Sequence, residues 1–289
     1  MNDSRTMTLD PSALHYSRHV GWAGSILMEV VPAAPSTVIV TFNYDAQPRI
    51  GVYATEVPEA TFRRLLASLR GSGYDQLPSP QSFEPESRFV TLGERAVGVA
   101  IPAVHVFSVL ALPSVVAALS REFEEVADEI RRSPERVLEV NARYSQASLS
   151  PGEPLSIEVA LKNVGRLALN LGNPLGAAPG EPAGVSLSVR AARDPDTEQG
   201  VELGVEHLRG RPGASTAPTV ALAPGAELGF ELQKRVYLAP GDYTVALAYQ
   251  NLAHSDADRQ SIEGVVLLEL GALSVQSADV PRAGARSPA

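Results

Sequence analysis

Residues 119–162 read LSREFEEVADEIRRSPERVLEVNARYSQASLSPGEPLSIEVALK, and the spacing of the hydrophobic side chains changes within this stretch. Up to Ile130 the hydrophobic residues recur at alternating steps of three and four, as they do on one face of a helix. Across Leu155–Leu161 they recur at every second residue, which is typical of a strand with one buried face. Helical spacing does not return after Pro134. The stretch therefore predicts that a part containing helices ends near residue 138 and that an all-β part follows.

The N-terminal part combines predicted strands with two predicted helices. The hydrophobic residues of 62–69 share one helical face, and Gly71 then favours the end of that helix. The predicted elements are, in chain order, strands at 26–31, 38–44 and 49–54, a helix at 58–69, a hairpin of 88–92 and 95–101 around Gly93-Glu94, and a helix at 113–132. This order predicts an α+β N-terminal domain over residues 10–138, an antiparallel sheet with two helices on one face.

The C-terminal part consists of short alternating segments separated by Gly and Pro turns. The predicted strands lie at 155–162, 185–189, 228–232, 243–249 and 265–270, the last with an extension to 275 left open, and the loops at 172–183 and 209–218 are expected to be mobile and solvated. This spacing predicts an all-β sandwich over residues 139–276. The small polar residues 277–289 predict a disordered tail. A single sheet running through both parts would contradict this division.

Three short segments of the C-terminal part are typical of one class of sandwich. They are SPGEPL at 150–155, LKNVG at 161–165 and LAPGDY at 238–243. On these segments the C-terminal part resembles bacterial immunoglobulin-like domains. The resemblance implies that Tyr243 forms a tyrosine corner, with a partly buried ring and a hydroxyl that bonds to upstream backbone. The intracellular protease inhibitor of bacilli is a cytoplasmic protein of this immunoglobulin-like type.

The N-terminal part resembles a second family. Its matching pieces are the helical face 62–69, the run Gly73-Tyr74-Asp75-Gln76-Leu77-Pro78, and the strand 97–101. In this order of elements the part is similar to emfourin and related small bacterial α+β domains. That resemblance implies inhibition of a metalloprotease.

Composition and charge exclude several classes of protein. The chain holds 24 Lys and Arg against 33 Asp and Glu, a formal net charge of −9, with no basic stripe. We therefore expect neither a nucleic-acid partner nor attraction to an anionic membrane. The absence of Cys excludes disulfides, thiolate metal sites and Cys nucleophiles. Without a signal-peptide pattern or an apolar run of membrane-spanning length, the expected location is cytoplasmic.

Histidines are the strongest candidates for metal ligands. His15 and His19 are four residues apart, and on a helix they would share one face. No HExxH motif or third ligand is near them in sequence, so a surface pair is the simpler interpretation. His105 lies in a hydrophobic run and is expected to be a hydrogen-bonded strand histidine.

The acidic run Asp194–Glu198 offers carboxylates that could bind Ca²⁺ from a loop, although a solvated hairpin tip is the simpler interpretation. The polar run His254–Asp258 is similar. No GxSxG elbow, GxGxxG fingerprint or Walker A motif is present in the chain. We predict no catalytic residues, no bound cofactor and no metal, and we leave open the pair His15 and His19 and the run Asp194–Glu198.

The polar loop 76–87 is the predicted partner contact. Phe83 is its one aromatic residue, while Pro80 and Pro85 would lower the cost of ordering it. The sequence as a whole predicts a non-catalytic protein-binding protein, in its sharpest form an intracellular protease inhibitor or an immunity-type protein. Two alternatives stay open: a structural subunit of a larger bacterial complex, and an enzyme with a dispersed site of histidines and carboxylates. Neither the partner nor the oligomeric state follows from the sequence.

Overall fold

A computed structural model describes residues 13–19, 25–32, 35–42, 48–73, 89–94, 105–108, 114–192, 194–251 and 262–276. The helices are α1 (Glu59–Gly71) and α2 (Ser114–Ile130). The strands are β1 (Leu14–His19), β2 (Ser25–Val31), β3 (Ser36–Phe42), β4 (Arg49–Val57), β5 (Phe89–Glu94), β6 (His105–Ser108), β7 (Pro134–Tyr144), β8 (Ser148–Leu149), β9 (Pro154–Asn163), β10 (Leu169–Gly172), β11 (Pro182–Ala191), β12 (Asp194–Gly204), β13 (Leu208–Gly210), β14 (Thr219–Leu222), β15 (Glu227–Arg235), β16 (Gly241–Asn251) and β17 (Gly264–Val275). The described chain is therefore mostly β-sheet, with two α-helices among its described residues.

One ten-stranded sheet runs through both halves of the chain, in the order β13-β15-β9-β7-β4-β3-β2-β1-β5-β6. All its neighbouring strands are antiparallel. The halves join where β4 pairs with β7, with Ile50 opposite Leu138 and Gly51 opposite Val137. The expectation that the two halves form separate sheets is therefore wrong. The domain limits 10–138 and 139–276 stay a prediction, although β7 crosses the position between them.

The reason for this discrepancy lies in β7 itself. Val137 and Leu138 are adjacent and both fully buried, one in the cluster that contains the helices and the other in the sandwich. A strand that is buried on both faces has no simple alternation of hydrophobic and polar residues. The sequence pattern consequently begins the C-terminal strands only at Leu155.

Both helices pack on one face of β1–β4. Leu65 and Leu69 of α1 and Phe123 of α2 share a buried cluster with Val40 and Phe42 of β3. This hydrophobic layer is the first of two cores, and it agrees with the predicted amphipathic helices. The helix positions are also close to those expected from the spacing, because each helix has one hydrophobic face long enough to define it.

A second sheet, in the order β12-β11-β16-β17-β8, faces the part of the large sheet that contains β7, β9, β15 and β13. Alternate residues of both sheets fill one hydrophobic cluster, including Ile157, Phe230, Leu187 and Tyr249. The pair of sheets is a β-sandwich. Its strands are antiparallel except for β8, which pairs with the end of β17 in the parallel direction.

One local prediction in these sheets is wrong. Gly93 and Glu94 form no turn, because they belong to β5 and pair with His15 and Leu14 of β1. The partner of β5 on its other edge is β6, and the predicted strand 95–101 lies outside the described residues. Asp194 begins β12 opposite Ala191 of β11, beside the turn between these two strands, which agrees with the hairpin of the simpler interpretation.

The two predicted mobile loops are tied to each other by buried polar contacts. The side-chain amide of Asn173 donates to the carbonyls of Ser215 and Ala217, at 2.8 Å each. The backbone N–H of Asn173 donates to Pro218 O at 2.9 Å. Asn173 is 4% exposed, so these bonds are shielded from water. Asn173 therefore joins the two loops, while most residues of 178–182 and 209–218 are exposed.

Within the described ranges, no helix is both long enough and apolar enough to cross a membrane.

Candidate binding face on the sandwich

The candidate site is the side of the sandwich formed by β7, β9, β15 and β13 that points away from the second sheet; we call it the outer face. On β9, Leu155, Ile157, Val159 and Leu161 point inward, so the residues between them line the outer face. The outer face continues the helix-covered face of β1–β4. The last buried hydrophobic residue on this side of β7 is Val137, and the polar residues Glu139, Asn141 and Arg143 follow it.

Ion pairs link neighbouring strands across the outer face. Arg143 Nη2 of β7 lies 2.6 Å from Glu158 Oε2 of β9. Arg211 Nη1 lies 3.2 Å from Glu227 Oε1 of β15. These side chains are substantially exposed, so each pair contributes at most about 1 kcal/mol to stability.

Glu139 and Arg49 form a further pair at the junction of β4 and β7. Burial opposes ionisation of Glu139, but hydrogen bonds from Arg49 and Asn141 outweigh that effect and hold its pKa below the ordinary value. Glu139 is therefore an anion at neutral pH, and it is compensated by cations within its own sheet.

Glu231 of β15 is the carboxylate nearest the middle of the outer face. The hydroxyl of Ser156 donates to it from β9, and the Gln233 amide donates at 3.0 Å. These bonds hold the pKa of Glu231 below the ordinary value, with the Ser156 bond as the largest cause. The oxygen Oε1 of Glu231 already accepts both bonds, which limits its availability to a partner.

Two facing residues near the middle of the outer face are small. Ala160 of β9 lies opposite Gly229 of β15. A Cβ atom at Gly229 would lie 2.6 Å from Arg211 Cζ, so the glycine lets the Arg211 guanidinium lie across the sheet.

Tyr237 extends the line of β15 and is 88% exposed. Its neighbours Val236 and Leu238 pack against the sandwich core, so the side chain of Tyr237 points outward from an anchored segment. The next turn is also fixed, because Tyr243 Oη donates to Ala239 O at 2.8 Å. This bond and the partly buried ring of Tyr243 confirm the predicted hydroxyl contact.

A small polar cluster lies at the same end of the sandwich. Lys234 Nζ lies 2.7 Å from His207 Nε2. An ammonium can only donate, so Nε2 is the acceptor in this contact. His207 Nδ1 lies 3.2 Å from Glu206 Oε1 without forming a hydrogen bond. The contact with His207 therefore fixes Lys234 at the edge of the sandwich, three residues before Tyr237.

A second polar cluster connects the first strand to the second helix. The Tyr16 hydroxyl donates to Glu124, and Arg18 Nη1 lies 3.0 Å from the same carboxylate. Burial and the Glu124 charge raise the pKa of Tyr16 far above its ordinary value. Tyr16 also stacks on Phe123 with ring centroids 5.4 Å apart. The cluster lies inside the helix layer, where it fixes α2 against β1.

The predicted partner contacts Phe83, Pro80 and Pro85 lie outside the described residues, as does the run His254–Asp258. They stay predictions.

The histidines singled out from the sequence lie on strands. His15 and His19 belong to β1, where four residues span about 13 Å rather than one helical turn. His105 begins β6, two strands away from β1 in the sheet. The helical arrangement considered for His15 and His19 is therefore wrong, and the backbone brings no two of these three residues to one point. Among described residues, no group of three His, Asp or Glu side chains is arranged to hold a metal ion.

Sequence reasoning missed Tyr237 and the contact between His207 and Lys234. The first had a usable signal, because Val236, Tyr237 and Leu238 continue the alternation of β15 and so place the tyrosine on the polar side. The second had none, since His207 and Lys234 are 27 residues apart and meet only through the pairing of β13 with β15.

Comparison with known proteins gives no family. No protein-family model and no curated protein matches this chain. A solved structure of an alkylpurine DNA glycosylase from Pseudomonas fluorescens is similar at 10% identity over 56% of this chain, which spans 38% of the glycosylase chain, with a TM-score of 0.28. The CARDB domain of a Pyrococcus furiosus protein, solved with di-metal ions, has 13% identity, covers 49% of this chain and 94% of its own, and has a TM-score of 0.23.

The C-terminal domain of wzt is similar at 10% identity, over 52% of this chain and 81% of that domain, with a TM-score of 0.29. At TM-scores this low, the similarities indicate neither the fold nor the function of this chain.

Proposed function

We propose that this chain is a non-catalytic protein-binding protein and that its contact surface is the outer face around Tyr237. One observation carries the proposal: a large aromatic side chain is 88% exposed on a backbone segment whose two neighbours are anchored in the core. Tyrosine is enriched among the residues that dominate binding energy. A pre-anchored segment also binds at a lower entropic cost than a flexible one.

We further propose that the sandwich is immunoglobulin-like. Its strand order supports this, because β7, β9, β15 and β13 can be read as strands A, B, E and D, and β11, β16 and β17 as C, F and G. The Tyr243 bond fits the tyrosine corner of that class. An α+β N-terminal domain would then extend the sheet beyond strand A. In such a scaffold, function depends on the surface rather than on the fold.

Affinity capture with two matched variants tests the function. We expect specific partners of the wild-type chain to be lost with Tyr237→Ala and retained with Leu267→Ala. Leu267 is the matched control because it is also a large exposed hydrophobic residue, at 47% exposure, but lies on the second sheet. Equal capture by both variants would show that the contact surface does not include Tyr237. Failure to capture any reproducible partner would contradict the proposed protein-binding function itself.

A narrower form of the proposal is an intracellular protease inhibitor or an immunity-type protein. It is supported only by the resemblances in sequence. Assays against serine proteases and metalloproteases test it, and we expect tight inhibition of one of them. Unchanged activity across both classes would remove this form and leave protein binding intact.

A further inference from the structure

The outer face carries more positive than negative charge, unlike the chain as a whole. Among the described residues of this face, taken together with Arg49 at its β4 border and Arg211 just after β13, cations outnumber carboxylates by six to four, whereas the chain has a net charge of −9. The cations are Arg49, Arg143, Lys162, Arg209, Arg211 and Arg235, and the carboxylates are Glu139, Glu158, Glu227 and Glu231.

The carboxylates of this face are already compensated within the sheet. Glu158 pairs with Arg143, Glu227 with Arg211, and Glu139 with Arg49, as given above. Glu231 accepts bonds from Ser156 and Gln233. Arg209 and Arg235 are exposed, and they occupy the outer-face positions of β13 and β15 on the side nearest Tyr237.

We propose that the partner segment lying on this face is acidic, with a hydrophobic residue that packs on Tyr237. This inference depends on the proposed function and adds the chemistry of the partner. Carboxylates of such a segment would meet Arg209 and Arg235, the exposed cations nearest Tyr237, although Arg209 also lies opposite Glu231 and helps to keep its pKa low. Complementary charge also speeds association and selects against basic competitors.

A polyanion such as nucleic acid is disfavoured by the same surface. DNA carries one charge per about 1.7 Å, and it would bring phosphates against the four carboxylates as well as against the cations. A peptide can instead place its carboxylates only where the arginines lie.

Fluorescence anisotropy with the full chain tests the inference. Four strands span about 15 Å across the sheet, which an extended peptide of about eight residues covers. The probes are a labelled peptide of Glu and Ser with one central Phe, the same peptide with Lys in place of Glu, and single-stranded oligothymidylate of similar length. We expect saturable binding of the Glu peptide that weakens as salt is raised.

The variant Arg209→Glu with Arg235→Glu should weaken binding of the Glu peptide by about tenfold or more. The control pair Arg64→Glu with Arg121→Glu changes net charge equally on exposed positions of α1 and α2, and it should leave binding within about twofold of wild type. Circular dichroism of each variant checks that it is folded.

Four results would overturn the inference: no binding of the Glu peptide, equal or tighter binding of the Lys peptide, tighter binding of the oligonucleotide, or equal loss in both charge-reversed pairs. These results can be distinguished from a failure of the proposed protein-binding function. A partner captured in a Tyr237-dependent manner, together with any of those four results, would leave protein binding standing and remove only the acidic segment.

Discussion

At the scale of single residues, the absence of a Cβ has a different structural role at each of two glycines, Gly51 and Gly229. A Cβ at Gly51 would lie 2.1 Å from the backbone oxygen of Arg136, and Gly51 has a φ of 140° that side chains rarely adopt. A Cβ at Gly229 would meet only the flexible guanidinium of Arg211, which can move. Gly51 therefore preserves the join between β4 and β7, whereas Gly229 shapes the outer face.

Gly51→Ala is expected to lower the free energy of unfolding by about 2–3 kcal/mol, because both the close backbone contact and the positive φ resist a side chain. Gly71→Ala is the control, since a Cβ there meets nothing within 4 Å, and it should change stability by less than about 1 kcal/mol. Urea unfolding measures both. Equal effects at the two positions would show that the approach of β7 does not depend on Gly51.

The Tyr243 hydroxyl is a second residue-scale feature. Tyr243→Phe removes the bond to Ala239 O and should cost about 1 kcal/mol of unfolding free energy. Tyr237→Phe removes a hydroxyl from an 88% exposed side chain and should be close to neutral. Thermal unfolding of the two variants provides the comparison, and a neutral Tyr243→Phe would mean that the corner does not stabilise the loop.

At the scale of elements, the pairing of β9 with β15 contributes to the sandwich core on one face and lowers the pKa of Glu231 on the other. Inward residues of both strands fill the sandwich core, while outward Ser156 bonds to Glu231 across the pair. The folded state thus favours the ionised form of Glu231, and its pKa lies below the ordinary 4.5. The stability from this bond is present above the unfolded pKa and is lost as pH falls through the folded pKa.

Ser156→Ala should therefore destabilise the chain most at pH values above about 5, and the difference from wild type should shrink as pH falls below about 4. Ser186→Ala, on the outward side of β11, should show no such dependence. Chemical unfolding across this pH range measures the difference. A Ser156→Ala effect of constant size would contradict the role of Glu231.

At the scale of the whole molecule, backbone pairing and side-chain packing divide the chain differently. One sheet passes from β6 to β13 without interruption, yet its hydrophobic side chains form one cluster under the helices and another inside the sandwich. The helices cover one face of the large sheet over β1–β4, and the second sheet covers the opposite face over β7, β9, β15 and β13. The polar outer face is the consequence, because the helix layer stops at Val137.

We expect the two clusters to unfold together, since β4 and β7 join them by backbone hydrogen bonds. Hydrogen exchange of α2 and β16 peptides at low urea concentration should show matching opening free energies, and Gly51→Ala should lower both. Exchange that accelerates in only one cluster would contradict this coupling and would favour two independent domains.

Much of the local structure followed from the sequence alone. The spacing of Phe62–Leu69 and of Leu155–Leu161 identified a helix and a strand because one face of each is buried and the other is solvated. Tyr243 was placed by the resemblance of residues 238–243 to the tyrosine corner of immunoglobulin-like domains. These features depend on neighbours within about one turn of the chain, so local pattern is sufficient to find them.

The tertiary structure alone decided how these elements meet. The pairing of Gly51 with Val137, the contact of Lys234 with His207, and the outer face with Tyr237 at its edge all join residues that are far apart along the chain. Val137 and Leu138 are buried on opposite faces, so their pattern gave no sign of a strand. Spacing along one segment reports which side of it is buried, but it carries no information about which distant segment provides the cover.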